Sequence, residues 1–179
     1  MQIECPRCLL RPLVASDAES LARHANDADV AKNLRDRFPH PYTRADADAY
    51  IAHLATRPIQ TSFGIVVGNE AIGSISLMPG DDISRRAAEV GYWIGQPFWG
   101  RGIAADALFA ITQYAFTTLG LARVFAVPLA STLGSIRVLE KVGYVREGVM
   151  RRSALKGGVL MDQWMYAAYD DQGVIAPPA

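Results

Sequence analysis

The hydrophobic pattern of this 179-residue chain changes its period near residue 60. From there, three segments rich in β-branched and aromatic residues follow one another, separated by the turn signals GNE and GDDIS: QTSFGIVVG (60–68), EAIGSISLMP (70–79) and RRAAEVGYWIG (85–95). This composition favours strands, and short turns between them favour antiparallel neighbours. We therefore expect an antiparallel meander of three strands over residues 60–95.

Helical signals dominate the chain before this meander. Ser16 and Asp17 are N-cap candidates for a helix over 15–27, a short second helix is predicted over 27–38, and Thr43 caps a third over 44–56. The segment CLLRPLV (8–14) predicts a first strand in front of these helices.

The strongest helix signal follows the meander, at residues 100–120. After it come a buried strand (121–129), a helix (135–143) that ends at Gly143, and two closing strands (144–154 and 159–169) around a KGG turn. This order predicts an α+β fold, α/β by looser naming, with a central mixed, mostly antiparallel twisted sheet flanked by helices. We expect one domain over residues 1–179, with its core at about 8–169 and a flexible tail at 170–179.

The composition restricts the function classes. Lys plus Arg equal Asp plus Glu at 18 each, so no overall field favours nucleic acid or an anionic membrane as partner. The chain lacks a membrane-spanning apolar run and a signal-peptide pattern, so we expect a cytoplasmic location. Cys5 and Cys8 form a CxxC, but the chain has no second pair and its histidines lack ligand spacing with it. We expect two ordinary thiols and no metal.

The stretch QPFWGRGIAADALFAI (96–111) places two glycines and an arginine before the strongest helix. A helix N-terminus attracts anions through its unpaired N–H groups and partial positive charge. Gly100 and Gly102 have no side chain to keep a phosphate from the backbone, and Arg101 adds a full charge, so the turn suits a diphosphate. It fits neither a Walker loop nor a Rossmann GxGxxG. The glycine spacing alone equally permits a plain connecting turn.

Neighbouring residues add a family resemblance. EVGYWIGQPFWGRGIAADAL (89–108) followed by STLGSIRVLEKVGY (131–144) resembles the GNAT acyltransferase superfamily, in particular its Rim-type group, which acetylates protein N-terminal amines. LRPLVASDA, KNLRDRFPHPYT and EGVMRR resemble the same group, so the resemblance spans residues 8–169. It implies a GNAT-type domain that transfers acetyl from acetyl-CoA to a primary amine, first of all a protein N-terminal amine, without a metal.

The resemblance also implies which residues hold acetyl-CoA. The family's pyrophosphate loop has Gln or Arg, then Gly, then Gly or Ala at positions that Trp99, Gly102 and Ala104 occupy here, so the first position departs from the pattern. Thr132 stands where the group has Asn, and its hydroxyl can either meet the pantetheine arm or only cap the helix. The full set of expected donor-binding residues is Tyr92, Trp93, Ile94, Trp99, Gly100, Arg101, Gly102, Ile103, Ala104, Ala105, Thr132 and Ser135.

Acetyl transfer needs a base for the amine proton and a donor for the developing oxyanion. Glu89 is the expected base, because it lies on the strand before the loop and shares a face with Trp93. A solvent-facing or ion-paired role for Glu89 stays open. Asp106 and Glu140 are weaker candidates, and a backbone N–H near Ile94 is expected to meet the oxyanion.

The leaving thiolate can also need an acid. Many GNAT enzymes carry a Tyr at the position of Leu139, which cannot donate a proton. Ser135 lies one helical turn earlier on the same face and is the expected substitute, ahead of Tyr144. The resemblance to the Rim-type group implies either that Ser or no acid at all.

The acceptor pocket is the least readable part of the sequence. Five residues are candidate walls, each also compatible with fold packing or a solvent-facing role: Arg35, Phe38, Tyr42, Arg151 and Trp164. A small-molecule amine (antibiotic, polyamine or amino acid) as acceptor, a larger acyl donor and a non-catalytic CoA-binding module all remain open. Membranes and nucleic acids are not expected partners, and the resembled group allows a homodimer.

Overall fold

The computed structural model describes residues 1–57 and 59–170. Their helices are α1 (Ala18–Ala25), α2 (Ala28–Ala31), α3 (Arg44–Ala55), α4 (Ile103–Thr117) and α5 (Leu133–Val142). Their strands are β1 (Ile3–Glu4), β2 (Leu9–Arg11), β3 (Ser62–Val67), β4 (Glu70–Pro79), β5 (Ala87–Ile94), β6 (Arg123–Ala126), β7 (Val145–Lys156) and β8 (Val159–Tyr169). Apart from Asp170, the expected flexible tail lies outside the described residues.

The strands form one sheet in the order β1-β2-β3-β4-β5-β6-β8-β7. Antiparallel pairing joins β1 to β2, β2 to β3, β3 to β4, β6 to β8 and β8 to β7. The pair β5 and β6 is parallel, and α4 makes the crossover between them, as parallel neighbours require. The predicted α+β class with a mixed, mostly antiparallel sheet is confirmed.

Two predicted helix ends are also confirmed. The Thr43 side chain accepts a hydrogen bond from the Asp46 amide, and the Asp46 carboxylate accepts one from the Thr43 amide, which makes a capping box for α3. Gly143 ends α5 with φ of 95°, in the left-handed region that glycine adopts without strain.

The structure corrects the prediction for Asp17. It stands at the N-cap position of α1, but its side chain makes no capping bond. Its carboxylate instead binds the Arg11 guanidinium with two bonds, of 2.7 and 2.8 Å, and accepts a bond from the Val14 amide. A buried carboxylate needs a charged partner, so this ion pair prevails over the local cap.

Other segments are shorter than predicted. The first strand covers only Leu9–Arg11, because Pro12 follows and cannot donate to the ladder. The second helix covers only Ala28–Ala31, where the Asp27 side chain caps the Asp29 and Val30 amides. The two-residue strand β1 had no recognised sequence signal.

Residues 1–57 and 59–170 divide into two compact units. The first comprises the described residues of Met1–Ser76 and Tyr92–Ala107, and the second comprises Leu77–Gly91 and the described residues from Leu108 onward. The first unit has a buried cluster of Ala18, Leu21, Ala22, Ala25, Tyr42, Ala47, Ile51, Val66 and Ala71. Large buried side chains of the second unit include Leu108, Ile111, Val124, Leu139 and Tyr166.

Candidate functional site

The glycine turn before α4 is open at Gly100 and bordered by a side chain at Gly102. Gly100 and Gly102 have φ of 74° and 78°, values at which an L side chain is strained. A Cβ atom on Gly100 would meet no atom within 4 Å, whereas one on Gly102 would lie 3.2 Å from Nη1 of Arg7. The open space at Gly100 leaves room for a phosphate to approach the backbone.

The first hydrogen bonds of α4 define which amides remain for a ligand. The amides of Ala105 and Asp106 both donate to the Gly102 carbonyl, each at 3.1 Å. Ile103 and Ala104 precede these bonds, in the part of a helix that has no intrahelical partners. Of the expected Gly100–Ala105 amides, that of Ala105 is therefore engaged within the turn.

Two side chains of the loop contact the protein itself. The Arg101 guanidinium lies over the Phe98 ring, 5.5 Å from its centroid, a cation–π contact that orients this charge. The Trp99 indole nitrogen donates a 2.9 Å hydrogen bond to the Ile94 carbonyl. Trp99, at the place of the family's Gln or Arg, thus ties the loop to the end of β5.

The end of β5 is held by a close approach to β4. The last pair of β5 with β6 is Glu89 with Phe125, and β5 continues from there to Ile94. A Cβ atom on Gly73 of β4 would lie 2.1 Å from the Trp93 carbonyl oxygen, and the Gly95 amide donates to the Ile72 carbonyl at 2.8 Å. Only glycine permits this approach.

A bulge in β4 accompanies the approach. The partners along β3 and β4 shift from Ile65 with Gly73 to Val66 with Ala71, which leaves Ile72 as the extra residue. Sequence reasoning missed this positioning role of Gly73, although an isolated glycine inside a strand pattern signals a bulge or a close backbone approach.

Glu89 lies half-buried in β5, and its neighbours Ala88 and Val90 are buried on the other face of the strand. The two weaker base candidates have structural partners. Asp106 is buried in the first turn of α4 and pairs with Arg7 at 2.9 Å, while Glu140 accepts a 2.8 Å bond from the Tyr166 hydroxyl. Burial and the Glu140 carboxylate raise the pKa of Tyr166 to about 12.

The two hydroxyls expected at α5 lie at its start. Thr132 is the N-cap residue but makes no side-chain capping bond, and Ser135 lies half-buried in the first turn. Leu139, one turn further on, is completely buried. The Tyr144 hydroxyl is buried and shares a 2.7 Å hydrogen bond with Thr112, which is consistent with the lower rank of Tyr144 as a proton donor.

Three predicted residues of the first unit form an aromatic cluster. The Phe38 ring lies 4.9 Å from the Tyr42 ring and 5.4 Å, edge-on, from the Trp93 ring. Tyr42 is 6% exposed, and burial is the largest cause that raises its pKa to about 12. Phe38 and Trp93 are only half-buried, while Arg35 is exposed. Trp93, a candidate donor-binding residue, thus packs in one cluster with Phe38 and Tyr42, two candidate residues of the acceptor pocket.

The other candidate walls belong to the β7–β8 hairpin of the second unit. The Arg146 guanidinium lies over the Trp164 ring, 4.6 Å from the ring centroid. The backbone amide of Trp164 donates a 3.0 Å hydrogen bond to the Pro128 carbonyl. Arg151 is exposed in a bulge of β7 between Met150 and Ala154.

Metal-ligand clusters and membrane-spanning helices are both absent from the described ranges 1–57 and 59–170. No group of His, Cys, Asp or Glu side chains there could hold a metal ion. In the same ranges, no helix has the length and apolar character needed to cross a membrane.

Residues 7–145 match the family model of the acetyltransferase (GNAT) domain. The chain belongs to the GNAT acetyltransferase family. As a GNAT protein it is an acyltransferase of the N-acetyltransferase class, and its relatives carry that name. It is 29% identical over 164 residues to the uncharacterized N-acetyltransferase p20 of Bacillus licheniformis, a match that covers 90% of this chain and 92% of the relative.

Two further similarities bear on this GNAT protein. The spermidine N(1)-acetyltransferase of Escherichia coli K12 is 27% identical over 141 residues, with 78% of this chain and 73% of the relative covered. The solved structure of Mycobacterium smegmatis RimJ in complex with CoA-disulfide has a TM-score of 0.85 at 22% identity, covering 97% of this chain and 89% of that one. The latter shows a shared fold.

Proposed function

We propose that this GNAT protein uses acetyl-CoA to acetylate a protein N-terminal amine. The observation that carries the donor assignment is the turn before α4, where Gly100 and Gly102 adopt left-handed backbone and Gly100 has open space in place of a side chain. Such a turn, at the N-terminus of a 15-residue helix, fits a diphosphate group. The CoA in the RimJ complex is consistent with this assignment.

Acetyl-CoA would supply an activated thioester. The Gly100–Ala104 amides and Arg101 would hold its diphosphate, and the backbone of Tyr92, Trp93 and Ile94 would offer hydrogen bonds to the pantetheine amides. Thr132 would add a hydroxyl to that arm.

The reaction forms an N–C bond and breaks the C–S bond of the thioester. Glu89 would accept the proton that the amine loses, directly or through water, and a backbone N–H near Ile94 would stabilise the oxyanion. The Ser135 hydroxyl would donate a proton to the leaving thiolate. The protonation states of Glu89 and Ser135 are then restored from solvent.

The pKa of the amine favours an α-amine as acceptor. Leu139, which replaces the family's Tyr, is buried and bears only on the proton donor for the leaving thiolate, so loss of the amine proton depends on Glu89 and on the pKa of the amine itself. An α-amine with a pKa near 8 is partly neutral at physiological pH, whereas a lysine amine near 10.4 needs more help to lose its proton. A polyamine amine resembles a lysine amine in this respect, although one relative is named a spermidine N(1)-acetyltransferase.

Mass spectrometry of the products tests the proposal. The purified protein is incubated with acetyl-CoA and three acceptors: peptides with a free N-terminus, the same peptides Nα-blocked but with a free lysine, and spermidine. We expect acetylation of the free N-terminus alone. Acetylated spermidine with unmodified peptides would overturn the acceptor assignment, and tight acetyl-CoA binding without any product would support a non-catalytic module.

A further inference from the structure

Arg7 reaches the glycine turn from the other end of the first unit's sequence. It lies in the Cys5–Cys8 turn between β1 and β2, which the Cys5 amide closes by donating to the Cys8 carbonyl at 2.9 Å. Its Nη1 atom lies 3.2 Å, and its Nε atom 3.4 Å, from where a Cβ of Gly102 would stand. The guanidinium therefore borders the turn that we assign to the diphosphate.

Asp106 orients this guanidinium. Nη1 of Arg7 donates to both carboxylate oxygens of Asp106, at 2.9 and 3.2 Å. The Asp106 side chain is completely buried, whereas 40% of the Arg7 side chain is exposed. Both bonds come from one nitrogen of a group that has five N–H donors in a rigid fork, so the same guanidinium can bind an anion from the solvent side.

The buried carboxylate at the start of α4 also favours an anion-binding role for Arg7. A buried carboxylate in the first turn of α4 would repel an anion at the adjacent loop if it were not neutralised. Arg7 neutralises it and adds N–H donors beside Gly102, two residues from the open position at Gly100.

We propose that Arg7 is a donor-binding residue that contacts the diphosphate of acetyl-CoA at the Gly100–Ala104 turn, with Asp106 as the residue that positions it. The identity of the donor rests on the proposed function. The competing explanation is that Arg7 serves only as the structural partner of buried Asp106.

A comparison of acetyl-CoA with S-acetylpantetheine, which has the thioester but no diphosphate, separates the two explanations. In Arg7→Gln we expect kcat/KM for acetyl-CoA to fall roughly ten- to a hundredfold, the effect of losing a charge-assisted hydrogen bond. The value for S-acetylpantetheine should stay at the wild-type level. An equal fall of both values in an Arg7→Gln protein that is folded like the wild type would overturn the proposal.

Arg11 provides a matched control. It also pairs with a buried carboxylate in the first unit, Asp17, which precedes α1 rather than lying in α4. Arg11→Gln should lower thermal stability like Arg7→Gln and keep the wild-type preference for acetyl-CoA over S-acetylpantetheine. An equal loss of preference in both variants would overturn the role of Arg7.

A double variant covers the case in which Arg7→Gln does not fold. Arg7→Gln with Asp106→Asn leaves no buried unpaired charge, and we expect it to fold with a reduced acetyl-CoA preference. A wild-type preference in the double variant would show that Arg7 only neutralises Asp106. If the wild-type protein itself showed no preference for acetyl-CoA, the donor-loop assignment under the proposed function would fail instead.

Discussion

The indole nitrogen of Trp99 donates a hydrogen bond to the carbonyl oxygen of Ile94 over 2.9 Å. This bond joins the glycine turn to the end of β5, two segments that we assign to different parts of the donor. Trp99, which stands where the family has Gln or Arg, thus ties the glycine turn to the end of β5 through its own N–H group.

Trp99→Phe tests that contribution, because it removes the N–H group and keeps an aromatic ring. We expect a severalfold increase in KM for acetyl-CoA with a smaller change in kcat, since the loop shifts relative to the end of β5. Steady-state kinetics and a thermal melt measure the effect. Unchanged KM and melting temperature would show that the bond does not position the loop.

Gly73→Ala tests the close approach of β4 to the end of β5. The new Cβ would stand 2.1 Å from the Trp93 carbonyl oxygen, so the backbone of one strand must move. We expect a lower melting temperature and a fall of about tenfold or more in kcat/KM, in line with the cost of small displacements in a site. Gly148→Ala is the control, because a Cβ there meets nothing within 4 Å.

Glu89→Gln tests the expected base. We expect kcat to fall by about 10²- to 10⁴-fold, the usual contribution of general base catalysis, with little change in the dissociation constant of acetyl-CoA. As the pH rises, more of the acceptor amine is neutral, so the gap between variant and wild type should narrow. A pH-rate profile with a constant gap would argue against Glu89 as the base.

Cys5 should be the more reactive of the two thiols. A hydrogen bond from the Cys8 side chain lowers the pKa of Cys5, while the same bond, burial and nearby negative charge raise the pKa of Cys8. The thiolate is the nucleophile, so iodoacetamide at neutral pH should label Cys5 first. Peptide mass spectrometry after brief labelling gives the order, and faster labelling of Cys8 would contradict it.

Asp17 should contribute to stability in a pH-dependent way. Burial raises its pKa, but the Arg11 guanidinium and the Val14 amide outweigh burial and hold the pKa below the ordinary value. Because the folded-state pKa is the lower one, the stabilisation is present above about pH 4 and is lost as the pH falls through the folded value. Denaturant titrations should show a weaker acid dependence in Asp17→Asn than in wild type.

Local sequence signals predicted much of the fold. The β-branched and aromatic segments between turn signals over residues 60–95 predicted β3, β4 and β5, the helix signal of residues 100–120 predicted α4, and Gly143 marked the end of α5. These features depend on residues close together in the chain, so periodicity and capping rules recognise them. The same locality explains why the sequence alone predicts a candidate anion site at the glycine turn before α4.

The tertiary structure decided what surrounds that turn. Arg7 forms an ion pair with Asp106, and Gly73 leaves room for the Trp93 carbonyl oxygen. Both contacts are between residues far apart in the sequence. The Asp17 carboxylate likewise pairs with Arg11 instead of capping α1, because a buried carboxylate is stabilised more by a guanidinium than by a helix end. The sequence determined most of the elements and the glycine backbone of the candidate donor loop, whereas packing and burial selected the charged and close-contact partners that position it.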